Sequence, residues 1–339
     1  LSLHDALPSY PATNPCATMI NNVISMLAAG NSVISIPNPR CMETSQFLTE
    51  KIYEAIEEAC GIQNLVVTLP ESRNDLLTEI INHPDVALVV ATGGRKMMSH
   101  VLCSPKRVIA GGPANPVAIV DETADLAKAA KDISDGASFD YNIMCISEKC
   151  IVAVESIVPA FVKQLEENGV YYIDNETEML QLTKTVLNHD MKMVRKMEGK
   201  SAMDILEEAG IHPNRPVRLV VVRTFAKHPL VLEECLMPVV PLVAVADFEE
   251  ALETALFTEQ GYRHTAMVHS QCIDRLSKAA KIMNTTVFIK NGSSLAGIGL
   301  NGEEMASFTI ANVTGEGITT ARDFACKRSC TLTSGFSLR

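Results

Sequence analysis

The 339-residue chain carries a net charge of −11, with 47% apolar and 20% charged residues. A binder of nucleic-acid backbones needs clustered Lys and Arg, so this balance argues against one; a small anionic ligand on a local basic patch stays open. No apolar run approaches the roughly 20 residues that cross a bilayer, and ten scattered cysteines without a C-x-x-C pair point away from metal sites and disulfides, toward a reducing cytoplasmic setting.

The length suffices for two domains with cores of their own. Residues 1–9 form no element that the pattern can place. Asn14 before Pro15 reads as a helix start, because Asn caps free amides and Pro suits the first helical position. That helix is predicted over residues 15–29, stopping at Gly30. Strands are expected at 33–36, 65–69, 86–91 and 108–110. Helices at 44–60, at 73–82 and after Thr92-Gly93-Gly94 alternate with them. From Pro116 the alternation restarts with strand 117–120, helix 123–133, a loop, strand 151–154 and helix 159–168. Residues 176–196 read as mostly helical and 199–209 as a short helix. Strands at 217–222, 239–245, 265–269 and 286–290 follow, with Asp247 capping a helix to residue 257. Residues 329–334 look like a final β segment. This alternation predicts a parallel α/β sheet with ligands at the carboxyl ends of its strands.

The loop of residues 135–149, DGASFDYNIMCISEK, is the most informative stretch. Cys145 sits between Met144 and Ile146, as a buried and inert thiol would. Gly136, Ser138, Asp140 and Asn142 are turn formers, and a thiol on a loop between rigid elements suits covalent catalysis. The residues alone leave both readings open. Gly93-Gly94 could admit a phosphate to a helix N-terminus or simply make a tight turn. Arg95 and Lys96 after it could contact that phosphate or be solvated. His264 reads either as a structural histidine or as a cleft residue. Residues 297–302 match G-x-G-x-x-G but follow no strand, so they read as a packing or active-site loop.

SFDYNIMCISEK, TNPCATMINNVISMLAAGNSV, VIAGGPANPVAIVDETADLAKAA, RHTAMVHS, TTVFIKNG and TGEGITTARDFACKRSCTLTSGFSLR occur in this order. Together they resemble the CoA-acylating aldehyde dehydrogenases of the ethanolamine and propanediol utilisation type, from about Pro11 to Arg339. The resemblance implies an α/β, aldehyde dehydrogenase-like fold. A Rossmann-type cofactor domain, incomplete at its N-terminus, would take residues 1–113. A catalytic domain would take 114–312, and a C-terminal segment with a subunit-bridging strand 313–339. It implies Cys145 as nucleophile and Asn14 with the Cys145 N–H as oxyanion hole; beside these, His264 is expected to help by handling a CoA or substrate proton. Glu234 falls on the contact to the nicotinamide-side ribose, Thr92, Gly93 and Gly94 fall near the cofactor pyrophosphate, and Gly111 is expected among the cofactor-binding residues. The implied cofactor is NAD, with NADP left open, and coenzyme A is the co-substrate. The implied partners are a small aldehyde such as acetaldehyde, further copies of the chain in a dimer or tetramer, and microcompartment shell or lumen proteins. No nucleic acid, membrane or metal is expected.

The chain departs from the wider superfamily at several positions. Hydrolytic members carry a water-activating glutamate 34 positions before the cysteine, where this chain has Gly111. Without that base a thioester on Cys145 can wait for CoA. The superfamily's lysine and glutamate for the adenosine ribose fall on Ile36 and Pro39, and Arg95-Lys96 replaces a Pro-Gly. Relatives also carry a long portion ahead of the Thr-Asn-Pro helix, so the chain is expected to be a piece of a longer gene product. Two other readings stand beside the dehydrogenase: an inactive relative that only packs into an assembly, and a cysteine-dependent CoA acyltransferase without nicotinamide.

Overall fold

Short apolar runs rich in Val, Ile and Ala form the strands, and amphipathic segments between them form the helices. The computed structural model describes residues 4–9, 11–71, 73–331 and 333. The first sheet has five parallel strands in the order β3-β2-β1-β4-β5. They are β1 (His4–Ser9), β2 (Asn31–Ser35), β3 (Val66–Thr68), β4 (Val86–Thr92) and β5 (Arg107–Gly111), joined by α1 (Pro15–Ala28), α2 (Met42–Cys60), α3 (Asn74–Asn82) and α4 (Arg95–Leu102). This is the order of a doubly wound dinucleotide-binding sheet, and its switch point lies between β1 and β4. Residues 1–9, which the sequence pattern leaves unplaced, thus contain a strand. β1 occupies the centre of the sheet, where pairing on both edges outweighs the weak strand propensity of HDALPS.

The second sheet has seven parallel strands in the order β12-β11-β6-β7-β10-β9-β8. They are β6 (Val117–Val120), β7 (Cys150–Val154), β8 (Val170–Ile173), β9 (Leu219–Thr224), β10 (Val239–Val245), β11 (Thr265–His269) and β12 (Val287–Lys290). Its longer helices are α5 (Leu126–Ser138), α6 (Val158–Glu167), α7 (Glu176–Val186), α10 (Phe248–Glu259) and α11 (Ile273–Met283), with shorter α8 (Ala202–Glu208) and α9 (Pro229–Leu232). β6, β7 and β10 are wholly buried along nearly their full length, as an all-parallel sheet covered on both faces requires. A ribbon of β13 (Ile310–Ala311) and β14 (Gly317–Ile318) returns the chain to the first sheet. There Ala110 N donates to Thr314 Oγ1 at 2.9 Å and Gly112 N to Asn312 Oδ1 at 2.8 Å. Among the described residues no helix is long and apolar enough to cross a membrane.

Local chemistry explains most element ends. Asp247 accepts from Glu250 N at 3.0 Å to cap α10, and Gly61 closes α2 with φ 68°. Other expectations change. β8 goes unpredicted because Tyr171-Tyr172 carries no alternation. The helix expected over residues 176–196 ends at Val186, where an antiparallel bridge joins Leu187 to Met193. Of the expected terminal β segment, residues 329–331 are not in a strand, and residues 332 and 334 lie outside the described residues.

The most consequential difference is α5, which continues through Gly136 to Ser138 rather than stopping at residue 133. Gly136 is there for space. A Cβ at this position would overlap the Glu148 carboxylate and the Ser294 hydroxyl. Gly136→Ala should gain about 1 kcal/mol of helix propensity and lose about 1–3 kcal/mol to overpacking. A net loss is expected because the buried Glu148 cannot move without giving up its bonds to Ser294. Urea unfolding of the variant checks this.

Candidate active site

The carboxyl ends of β1 and β4 open onto a cleft of about 440 Å³, bordered among others by Pro37, Thr92, Gly93, Gly94, Glu234 and Cys145. That volume lies in the range of small-molecule sites. A second cavity of about 40 Å³ adjoins it, walled by Asn14, Met144, Cys145, Ile298, Phe308 and Ile310. Cys145 and Thr92 border both. The topology brings them together: Thr92 ends β4, and Cys145 stands on the loop that feeds β7.

That loop is held in an unusual shape. After α5, Asp140, Tyr141 and Asn142 all adopt left-handed backbone, with φ of 47°, 53° and 60°. Each such non-glycine residue costs roughly 1–2 kcal/mol. Buried bonds hold the turn in place. Asn142 Nδ2 donates to Glu148 O at 3.0 Å, and Lys149 Nζ donates to Asn142 O at 2.5 Å and also to Asn142 Oδ1. Cys145 keeps one face toward the cleft while protein surrounds the rest. Burial pushes its thiol up to about 12; the Glu234 carboxylate adds to the rise, and the Lys149 ammonium opposes it. Burial likewise pushes Glu234 up to about 7, against the pull of Lys149 and the Ala114 amide.

Asn14 stands at the N-cap of α1, but its side chain makes no capping bond, so its amide remains available to the small cavity. Gly93 and Gly94 lead into α4, and a Cβ on Gly94 would meet no protein atom. Gly111 is not on the cleft wall; Gly112 and Pro113 are. A Cβ at Gly111 would fall 2.7 Å from the Ile310 carbonyl oxygen, so this backbone leaves no room for a side chain there. His264 borders neither cavity. It is buried, its Nδ1 lies 2.8 Å from Thr265 Oγ1, and burial with the nearby Lys149 charge pushes it down to about 4, leaving it neutral. Arg95 does not border the cleft and donates to Tyr262 Oη at 2.6 Å.

Comparison with known proteins decides the family. The aldehyde dehydrogenase family model matches residues 11–299. The chain belongs to the aldehyde dehydrogenase family. Its relatives place it with the CoA-acylating members of the ethanolamine and propanediol utilisation type. It is 46% identical over 331 residues to a propanal dehydrogenase (CoA-propanoylating) of Salmonella typhimurium, covering 97% of this chain and 71% of that protein. A propionaldehyde dehydrogenase from the Clostridium phytofermentans fucose utilisation bacterial microcompartment superposes with a TM-score of 0.95 at 37% identity, covering 99% of this chain and 77% of that one. An engineered glycolyl-CoA reductase with bound NADP+ superposes with a TM-score of 0.94 at 39% identity, over 97% of this chain and 75% of its own.

For an aldehyde dehydrogenase the cleft suits a nicotinamide dinucleotide on its own terms. Thr92 Oγ1 is buried without a partner at its edge. The glycine turn leaves the first amides of α4 open to an anion, and Glu234 offers a carboxylate on the opposite wall. Sequence reasoning missed Glu148, Lys149 and Phe308. A signal for the first two was present: adjacent charges between Ile146 and Ile151, where a strand enters a core, are costly unless paired.

The raised Cys145 thiol gives a direct expectation. Below its pKa the thiolate fraction rises tenfold per pH unit. Alkylation of Cys145 by iodoacetamide, read by peptide mass spectrometry without cofactor or substrate, should keep climbing from pH 7 to about pH 10. A plateau near neutrality would contradict the assignment.

Proposed function

We propose that the chain oxidises a short-chain aldehyde, acetaldehyde or propanal, to its acyl-CoA through a thioester on Cys145. The observation that carries this reading is the position of Cys145, which borders both the nucleotide-sized cleft and the small apolar cavity. About 40 Å³ of cavity holds roughly three water-sized groups, which suits a short aldehyde and disfavours a bulky one.

In this reading the Cys145 thiolate attacks the carbonyl carbon, and the C–S bond forms as the carbonyl π pair moves to oxygen. Asn14 Nδ2 and the Cys145 N–H donate to that oxyanion; each such donor is worth about 10²–10³-fold in rate. A nicotinamide cofactor, when bound in the cleft, supplies the hydride acceptor that the oxidation needs. Thr92, Gly93 and Gly94 would meet its phosphates and Glu234 its ribose, with Gly111 behind the wall. Ile36 and Pro39 carry no charge that would select between NAD and NADP, and NADP+ is what the engineered neighbour binds. His264 enters only as a neutral neighbour of Thr265. No carboxylate reaches Cys145 from Gly111 to activate water. The thioester therefore persists until the CoA thiolate takes the acyl group and Cys145 leaves as thiolate.

Residues 1–113 would serve cofactor binding, 114–312 catalysis and 313–339 subunit bridging in a dimer or tetramer. The microcompartment origin of one structural neighbour supports a setting inside such a shell. The test is reduced-cofactor formation by the purified chain with propanal and NAD. It should require CoA, vanish in Cys145→Ala and fall about 10²–10³-fold in kcat in Asn14→Ala. Turnover without CoA that yields free acid would contradict the reading.

A further inference from the structure

Lys149 is the largest fully buried side chain, at 1% exposure, and the chemistry described so far gives it no task. Its ammonium reaches Asn142 O at 2.5 Å and Asn142 Oδ1. Both acceptors belong to the last residue of the left-handed turn, three positions ahead of Cys145. The Asn142 amide closes back on Glu148 O at 3.0 Å. Residues 142–149 therefore form a loop tied at its neck, with Cys145 near its middle. Glu148 faces the other way and accepts from Ser294 N at 2.9 Å and Ser294 Oγ at 2.7 Å. That contact fixes the segment carrying Ile298 into the small cavity. A neutral side chain would fill the Lys149 volume with less desolvation cost.

We propose that Lys149 is a positioning residue for Cys145: its buried ammonium ties off the 142–149 loop and sets a fixed positive charge behind the thiol. The proposal rests on the reading of Cys145 as the nucleophile. The groups facing Lys149 are Glu234 and Cys235 ahead of β10, His264 ahead of β11, and Cys145 and Glu148 on its own loop. Of these, Glu234 is the anion that opposes a thiolate at Cys145, His264 is held neutral, and Lys149 is the cation that favours it.

Two variants separate charge from packing. Lys149→Gln keeps a donor for Asn142 without the charge, and Lys149→Met keeps the volume alone. Alkylation of Cys145 by iodoacetamide, without substrates, is followed by peptide mass spectrometry from pH 6 to pH 10, alongside thermal melting. The proposal expects both variants to alkylate about tenfold or more slowly below about pH 8, where Lys149 carries its charge, and to converge on the wild type above it, where the lysine itself loses its proton. It also expects kcat to fall in step while KM for the aldehyde stays nearly unchanged. A merely structural lysine would lower the melting temperature and leave the alkylation profile in place. Wild-type alkylation rates in a folded variant would overturn the proposal. So would failure of both variants to melt cooperatively, since Lys149 would then be needed for folding rather than for placing the thiol. Alkylation reads the thiol itself, so the result stands apart from whether CoA-dependent turnover is found.

Discussion

The cleft floor brings a thiol, a carboxylate and an ammonium into one low-dielectric volume, and the rest of the site depends on how their charges settle. Cys145 resists ionisation because burial and Glu234 both act against a thiolate. Lys149 opposes both, but a buried ammonium is itself unfavourable, and burial pulls it down to about 8. The pull stops short of neutralising it at pH 7. The thiol is therefore held in reserve in the free protein, and its ionisation is sensitive to any further positive charge in the cleft.

Backbone geometry turns this electrostatic arrangement into a reaction preference. β5 and β13 approach so closely that Gly111 cannot carry a Cβ without meeting the Ile310 carbonyl. An acid or base at that position would require the ribbon to move, not just a different residue. The absence of a side chain at position 111 thus follows from how the C-terminal ribbon packs on the first sheet. In the proposed reaction this denies water a base from that side and leaves the acyl group for a stronger nucleophile. The same ribbon places Ile310 against the small cavity.

Much of this was legible in the sequence. The strand–helix alternation, the Asp247 cap, the Gly61 stop and the glycine turn after Thr92 each follow from local chemistry that tertiary packing leaves intact. The pairing of Cys145 with the Asn14 segment came from the resemblance, since no local rule joins residues 131 positions apart. What stayed hidden is tertiary in origin. Gly136 reads as a loop glycine until the Glu148 carboxylate is placed against it. β1 has little strand propensity and forms because two neighbours pair with it. Lys149 has no partner in its local sequence, and the left-handed turn it holds supplies one. His264, a candidate from its place before a strand, is turned instead toward Thr265 and away from both cavities.

The central claim is that Cys145 carries the acyl group and holds it until CoA arrives. Intact-mass and peptide mass spectrometry of the chain after mixing with propanal and NAD, without CoA, tests this directly. A propionyl adduct is expected on the Cys145 peptide, and it should disappear when CoA is added, with propionyl-CoA in solution. No adduct on Cys145 while NADH forms, or an adduct that decays to free propionate as fast without CoA as with it, would contradict it.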